Sequence, residues 1–320
     1  MFWTPLAKTI LCLNLVTLMV GCAQLTKKPA PKPPPLDLEL LGTTPLVKAA
    51  AKGDVAEIKR LVEGGAAVDK PSSTGVTPLM AAARKNQVAA VDALLAAKAD
   101  VSIQDSQGST VLHFAALGSS AGSIPLLVKK GVSLELKDNF DLTALMMATR
   151  FANLETVKAL LKSGALVFTA DPNGWTPLHF SIPRGDAAIF ETLMDQNPTL
   201  DQLDSDGDSL LMIAMAYHQP TFVKRLIESG VPINSVNNDG LSALHVAVSG
   251  RRTDYVSWLL AHKAAPNGQD KRGHTPLMLA IQLQDQALVS QLMQAGADPE
   301  IKDLENSSSH DWAKRFKVTL

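Results

Sequence analysis

The residues with the clearest metal-binding chemistry in this 320-residue chain are histidines and methionines placed 33 positions apart. They alternate along the chain as Met80, His113, Met146, His179, Met212, His245 and Met278. Imidazole and thioether groups are ligands that copper accepts, so one hypothesis is a row of copper ligands. Packed neighbouring helices lie about 8–10 Å apart, which is too far for equivalent side chains to share one ion. We therefore favour a structural role for this row.

A second candidate for metal binding is the acidic stretch 201–208. If Gly207 is aligned with the invariant glycine of a calcium loop, the first and twelfth ligand positions fall on Gln202 and Ile213. A calcium loop needs oxygen donors at both positions and an acid at the twelfth. The pattern therefore argues against a calcium site.

Catalytic motifs are missing from the sequence. It contains no G-x-S-x-G elbow, no phosphate-binding loop and no H-E-x-x-H zinc motif. Its seven histidines have no local arrangement with serine or aspartate. We therefore expect a protein without enzymatic activity, cofactor or metal.

The histidines and methionines belong to a repeat of 33 residues that runs without insertion or deletion. Each repeat is marked by a hydroxyl residue, and we number repeats 1 to 8 by the first eight of these marks. The marks are Thr44, Thr77, Thr110, Thr143, Thr176, Ser209, Ser242, Thr275 and the terminal Ser308. Leucine stands two and seventeen residues after each of the first eight marks. Periodicity of this length predicts a stacked repeat protein.

One repeat is predicted to form a turn, a helix, a short loop and a second helix. In repeat 2, Gly75 suits a tight turn, Thr77 is the expected N-cap and Pro78 the first helical residue. Two apolar sets at helical spacing follow: Leu79, Ala82 and Ala83, then Val88, Val91, Leu94 and Leu95. Neither helix can bury such a face alone, so the repeats must stack on one another.

This pattern resembles the ankyrin repeat, most clearly in the segments Thr176–Ser181 (TPLHFS) and Thr275–Ala280 (TPLMLA). The resemblance implies an all-α ankyrin-repeat solenoid of about eight repeats over residues 40–303, with a C-terminal cap in residues 304–320. It also implies β-hairpin tips and inner helices that line one concave face. In this family the histidine after the hydroxyl mark caps the helix through a hydrogen bond to the hydroxyl group, which accounts for the histidine and methionine row without a metal.

The N-terminus is predicted to be a secretory signal, because Lys8 precedes an apolar run, Ile10–Val20, that is too short to span a membrane. Gly21, Cys22 and Ala23 resemble the lipobox of bacterial lipoproteins, which implies a signal peptide over residues 1–21 and a lipid on Cys22. Alanine after the cysteine resembles the class sorted to the outer membrane, so we expect an outer-membrane lipoprotein facing the periplasm of a Gram-negative bacterium. The alternative is a plain cleaved signal with an incidental cysteine.

Residues 22–39 contain a lysine- and proline-rich run, KKPAPKPPP, that is unsuited to a helix. An extended polyproline spacer of about a dozen residues would hold the repeats roughly 40 Å from the bilayer.

The 30 basic and 31 acidic residues nearly balance, and no basic stripe follows any predicted helix, so a nucleic-acid partner is disfavoured. We expect a monomer.

The predicted binding surface lies at the turn tips and at the ends of the first helices, which point into the groove of an ankyrin stack. These positions are small or polar in repeats 2 and 3 but aromatic, apolar or basic in repeats 4 to 6. The candidate partner-binding residues are Phe140, Leu142, Arg150, Phe151, Trp175, Arg184 and Tyr217. Aromatic residues and arginine at positions that packing leaves exposed are typical of interaction hot spots. In repeat 5, Pro183 is expected to end the first helix early.

The sequence thus predicts a membrane-tethered, non-enzymatic module that binds a periplasmic protein. Two other functions remain open at this point. One is an inhibitor or immunity-type protein that neutralises a toxin or hydrolase, and the other is a scaffold within an envelope complex. The identity of the partner is not encoded in any motif.

Overall fold

The computed structural model describes residues 43–118 and 120–320. The predicted signal peptide (1–21), the lipidation site Cys22 and the proline-rich segment (22–39) lie outside the described residues.

Seventeen α-helices and one short 3₁₀ helix, Ala121–Ser123, make up the regular structure of the described residues. In chain order the α-helices are α1 (Pro45–Lys52), α2 (Val55–Glu63), α3 (Pro78–Arg84), α4 (Val88–Ala96), α5 (Val111–Leu117), α6 (Ile124–Lys129), α7 (Ala144–Arg150), α8 (Leu154–Lys162), α9 (Pro177–Ser181), α10 (Ala187–Met194), α11 (Leu210–Ala216), α12 (Pro220–Glu228), α13 (Ala243–Ser249), α14 (Thr253–Ala261), α15 (Pro276–Gln282), α16 (Gln286–Gln294) and α17 (Ser309–Phe316). No β-strand occurs in the same residues, which confirms the all-α prediction.

The helices form where the sequence supplies caps. In repeat 2 the Thr77 hydroxyl accepts a hydrogen bond from the backbone N–H of Met80 at 3.3 Å, and Pro78 occupies the first turn of α3. Leu79, Ala82 and Ala83 are then fully buried along this helix. The short alanines allow the next first helix to approach closely, so small residues and phased leucines together produce a stack.

The described residues form two compact units, 43–198 and Thr199–Leu320. In the unit 43–198, the first helices of successive repeats (α1, α3, α5, α7 and α9) pack side by side in sequence order. The second helices form a layer behind them, where α2 contacts α4 and α8 contacts α6 and α10. The core of this unit lies between the two layers.

The unit Thr199–Leu320 repeats this arrangement with α11, α13, α15 and α17 in one series. Three single β-bridges close its turns: Leu203 with Ser209, Val236 with Ser242, and Lys302 with Ser308. The last helix, α17, buries Trp312 and Ala313 and exposes His310 and Lys314. The Trp312 indole N–H donates to Asp303 Oδ2 at 2.8 Å, which fixes this terminal helix on the preceding turn.

Repeat 5 departs from the others as Pro183 indicates. Its first helix, α9, ends at Ser181 after five residues, whereas α3, α5 and α7 each contain seven. Residues 182–185 form a turn instead of a last helical turn. Proline lacks the N–H that the helix would need there.

Candidate functional site

The histidine row acts as a set of helix caps. Nδ1 of His113 lies 2.8 Å from the Thr110 hydroxyl, and the pairs His179–Thr176 and His245–Ser242 have the same distance. Burial lowers the pKa of all three imidazoles, that of His179 to about 4, so they are neutral near pH 7. The structural interpretation of the histidines is therefore confirmed.

Methionine replaces histidine in the same role. Sδ of Met80 accepts the backbone N–H of Thr77 at 3.5 Å, and Sδ of Met146 accepts that of Thr143 at 3.4 Å. Both side chains are buried. Within the described residues, no cluster of three or more histidine, cysteine, aspartate or glutamate side chains is arranged to hold a metal ion.

In the turn tips of repeats 4 and 5, an aspartate side chain accepts hydrogen bonds from backbone N–H groups of the same turn. Asp138 Oδ1 accepts the backbone N–H groups of Phe140 and Leu142 at 2.9 and 3.0 Å. Asp171 Oδ1 accepts those of Asn173 and Trp175 at 2.9 and 2.8 Å. Each carboxylate thus fixes the backbone of a turn and sets the direction of the two side chains that follow it.

Burial separates the predicted surface residues into two groups. Phe140, at a turn tip, is 65% exposed, but Leu142 and Trp175 are only 5% and 9% exposed. The expectation that packing leaves these positions exposed is therefore wrong for Leu142 and Trp175. Both directly precede the N-cap of a first helix, and this position points back onto the helices, as the buried Val76 and Ser109 also show.

Although Trp175 is buried, it packs against a second aromatic residue, Phe180. Its ring meets that of Phe180 edge to face, with centroids 5.4 Å apart. The Arg150 guanidinium lies over the Phe180 ring, with Cζ 5.9 Å from the ring centroid. The packed aromatic pair therefore holds a cation at the end of α7.

The electrostatic surroundings of Arg150 are mixed. Burial lowers the pKa of its guanidinium, while the charges of Asp138 and Asp171 act in the opposite direction. Both carboxylates accept their hydrogen bonds from turn amides rather than from Arg150. The Arg150 Nε–H is shielded from solvent and has no hydrogen-bond acceptor in the described part of the chain.

The remaining predicted residues flank this centre or lie in the other unit. Phe151 is half-buried as the C-cap of α7, and Arg184 is exposed in the turn after α9. Tyr217 belongs to the unit Thr199–Leu320, where it is the C-cap of α11. Burial raises the pKa of its hydroxyl group. The structure thus brings Arg150 and Trp175 together through Phe180, which the sequence interpretation missed because it occupies a core-facing helix position.

Sequence reasoning also missed a regular tie between neighbouring repeats. At four places the polar residue eight positions before a hydroxyl mark accepts a backbone N–H from the next repeat at 2.8–3.0 Å. The bonds run to Asp69 from Asp100, to Glu135 from Leu166, to Asn234 from Ala265 and to Asn267 from Asp298. In repeat 5 this position is Phe168, which has no acceptor and is 55% exposed. From repeat 2 onward, Phe168 is the only apolar residue at this position of the repeat. That exception was the sequence signal that could have indicated the missing hydrogen bond.

The acidic stretch of repeat 6 forms a turn. Asp204 Oδ1 accepts the backbone N–H groups of Asp206 and Asp208, both at 2.9 Å. Asp208 also accepts a hydrogen bond from the Asn237 amide at 2.9 Å. Burial raises the pKa of Asp208 to about 6, and the charges of Asp204, Asp206 and Asp239 add to this effect.

None of the helices in the part of the chain that the structure describes has the length and apolar character needed to cross a membrane. A family model described as ankyrin repeats matches residues 12–105, 94–171, 165–237 and 211–303. A comparison with curated proteins finds no match to this chain.

Proposed function

The chain belongs to the ankyrin-repeat family, whose repeats are general protein–protein interaction modules, and on that premise we propose that it is a membrane-tethered protein-binding module of the bacterial envelope. Its partner is a periplasmic protein that binds along the turn tips and first-helix ends of repeats 4 and 5. Binding, rather than catalysis, is its activity.

The observation that carries this proposal is Phe140. Phe140 is 65% exposed at a turn tip, and a large aromatic side chain at such a position matches the composition of interaction hot spots. Arg184 and the half-buried Phe151 extend the same kind of surface. Aromatic residues and arginine of this sort contribute most of the binding energy in protein interfaces.

The tether is inferred from the sequence alone. Lipidation of Cys22 would attach the chain to the outer membrane, and residues 22–39 would separate the repeats from the bilayer. Anchoring confines the module to a thin layer, so its effective concentration toward other envelope proteins rises. Replacing Cys22 by serine tests this part: the protein is then expected in the soluble periplasmic fraction, and continued membrane association contradicts the anchor.

The binding surface is tested by photocrosslinking in cells. A photoreactive residue in place of Phe140 is expected to trap one discrete protein. The matched control carries the same residue in place of Glu155, which is exposed on α8 in the layer of second helices. If both positions give the same products, or if position 140 gives none, the proposed surface is wrong.

A further inference from the structure

We propose that Arg150 is the anchor of the binding surface and that it takes the carboxylate of an aspartate or glutamate side chain from the partner protein, beside an apolar residue that packs on the neighbouring Phe151. This inference rests on the proposed function and specifies the chemistry of the partner.

The first observation is the unfilled hydrogen-bonding capacity of Arg150. Across residues 43–118 and 120–320, its guanidinium makes no ion pair within 4.0 Å, and its buried Nε–H lacks an acceptor. A planar guanidinium offers five N–H donors in a fixed geometry that matches a carboxylate. Because Nε is shielded from solvent, a ligand reaches only the two Nη groups, which have no protein acceptor in the described residues. Charge-assisted hydrogen bonds from these groups to a carboxylate compensate the partly buried charge.

The second observation is preorganisation. Arg150 ends α7, and its guanidinium is held over Phe180 at 5.9 Å, while Phe180 is itself packed edge to face on the buried Trp175. At 5.9 Å the guanidinium is at the outer limit of a cation–π contact, so the ring limits the range of the long side chain without stacking on it, and less conformational entropy is lost on binding. An arginine placed in this way is unlike the exposed Arg60, which already pairs with Glu57 at 2.7 Å.

The third observation selects a carboxylate over a phosphate. Asp138 and Asp171 stand close enough to influence Arg150 electrostatically, and Asp141 is exposed on the same turn as Phe140. A phosphate group carries up to two negative charges and generally requires several cations. With acids nearby, a singly charged carboxylate suits the site better.

The experiment uses a display library of short random peptides against the purified full chain. The peptides retained by the wild-type chain are expected to be enriched in aspartate or glutamate next to an aromatic or aliphatic residue. For a selected peptide, Arg150→Gln is expected to lower the affinity about tenfold, as does the change of the peptide's own acid to its amide. Arg150→Lys is expected to fall between wild type and Arg150→Gln, because it keeps the charge but loses the planar donor set.

Lys158→Gln is the matched control, since it removes one positive charge from the exposed face of α8. It is expected to leave the affinity within about twofold of the wild type. The peptide-side substitution keeps the test valid even if Arg150→Gln disturbs folding. Retained peptides without acidic enrichment, or peptides that bind Arg150→Gln as tightly as wild type, overturn this inference alone. Failure to retain any peptide overturns this inference, and if crosslinking at position 140 is lost too, the proposed function is overturned as well.

Discussion

A Cβ atom added to Gly118 would lie 1.6 Å from the carbonyl oxygen of Arg84, so the end of α5 touches the backbone of α3 with no room for a side chain. The backbone of Gly118 has φ −92°, a value that any residue adopts, so the need for glycine is steric rather than conformational.

Gly118→Ala is therefore expected to destabilise the chain by about 1–3 kcal/mol, because helices α3 and α5 must separate to admit the methyl group. The equivalent residue of repeat 7, Gly250, provides the control: a Cβ there meets nothing closer than 3.4 Å. Urea unfolding followed by circular dichroism is expected to show a lower midpoint for Gly118→Ala and almost no change for Gly250→Ala. Equal midpoints for the two variants would contradict the close approach.

The buried histidines predict loss of stability at mildly acidic pH. The pKa of His179 is lowered from 6.5 to about 4 by burial, so between these values the unfolded chain binds more protons than the folded one. Stability is then full above about pH 6.5 and falls as the pH decreases toward 4. The unfolding midpoint of the wild-type chain relative to that of His179→Met is expected to fall as the pH decreases from 8 to 4, and this difference separates the effect from the opposite one of Asp208.

His179→Met tests the origin of that decline. Methionine is the residue that the chain itself uses in alternate repeats, where the sulfur atom accepts the N-cap amide. The variant is expected to lose part of the pH dependence while staying folded at pH 7.5. His262→Gln, at the exposed C-cap of α14, is the matched control, because it removes a histidine that is not buried. An unaltered profile in His179→Met would show that this imidazole does not contribute.

The raised pKa of Asp208 predicts a contribution to stability that changes with pH in the opposite direction. Its folded pKa is raised from 3.8 to about 6, so the folded chain binds the extra proton between these values. The associated stability is present below about pH 3.8 and is lost as the pH rises through 6. Asp208→Asn keeps an oxygen acceptor for the Asn237 amide and is expected to stabilise the chain at pH 7. Asp201→Asn, at an exposed position of the same acidic stretch whose charge is not among those acting on Asp208, is the control, and a carboxyl-carbon NMR titration measures the pKa directly.

Glu135 predicts a local coupling between repeats 4 and 5. Its Oε1 accepts the backbone N–H of Leu166 at 2.9 Å and its Oε2 accepts the Thr169 hydroxyl at 2.8 Å. Glu135→Ala is expected to cost about 1–3 kcal/mol and to speed hydrogen exchange at the Leu166 amide. Glu135→Gln retains one oxygen acceptor and is expected to protect that amide better than Glu135→Ala. Equal exchange rates in the wild-type chain and in Glu135→Ala would argue against the tie.

Much of the fold could be predicted from the sequence because its causes are local and repeated. A hydroxyl cap, a proline in the first helical turn and phased leucines recur at one spacing, and each acts through residues only a few positions away. The same locality explains why the early end of α9 at Pro183 and the cap role of His113 were predicted correctly.

The candidate binding surface could not be predicted in the same way, because the exposure of a side chain depends on whether a neighbouring repeat covers it. Trp175 and Phe140 both lie in turns, one and three residues before a hydroxyl mark, yet Trp175 is buried and Phe140 is 65% exposed. The pairing of Arg150 with Phe180 joins residues 30 positions apart and follows from the side-by-side packing of α7 and α9. The repeat by itself determined which segments become helices and that they stack. Only the tertiary structure decided which side chains face outward, because that depends on contacts between repeats that no single repeat encodes.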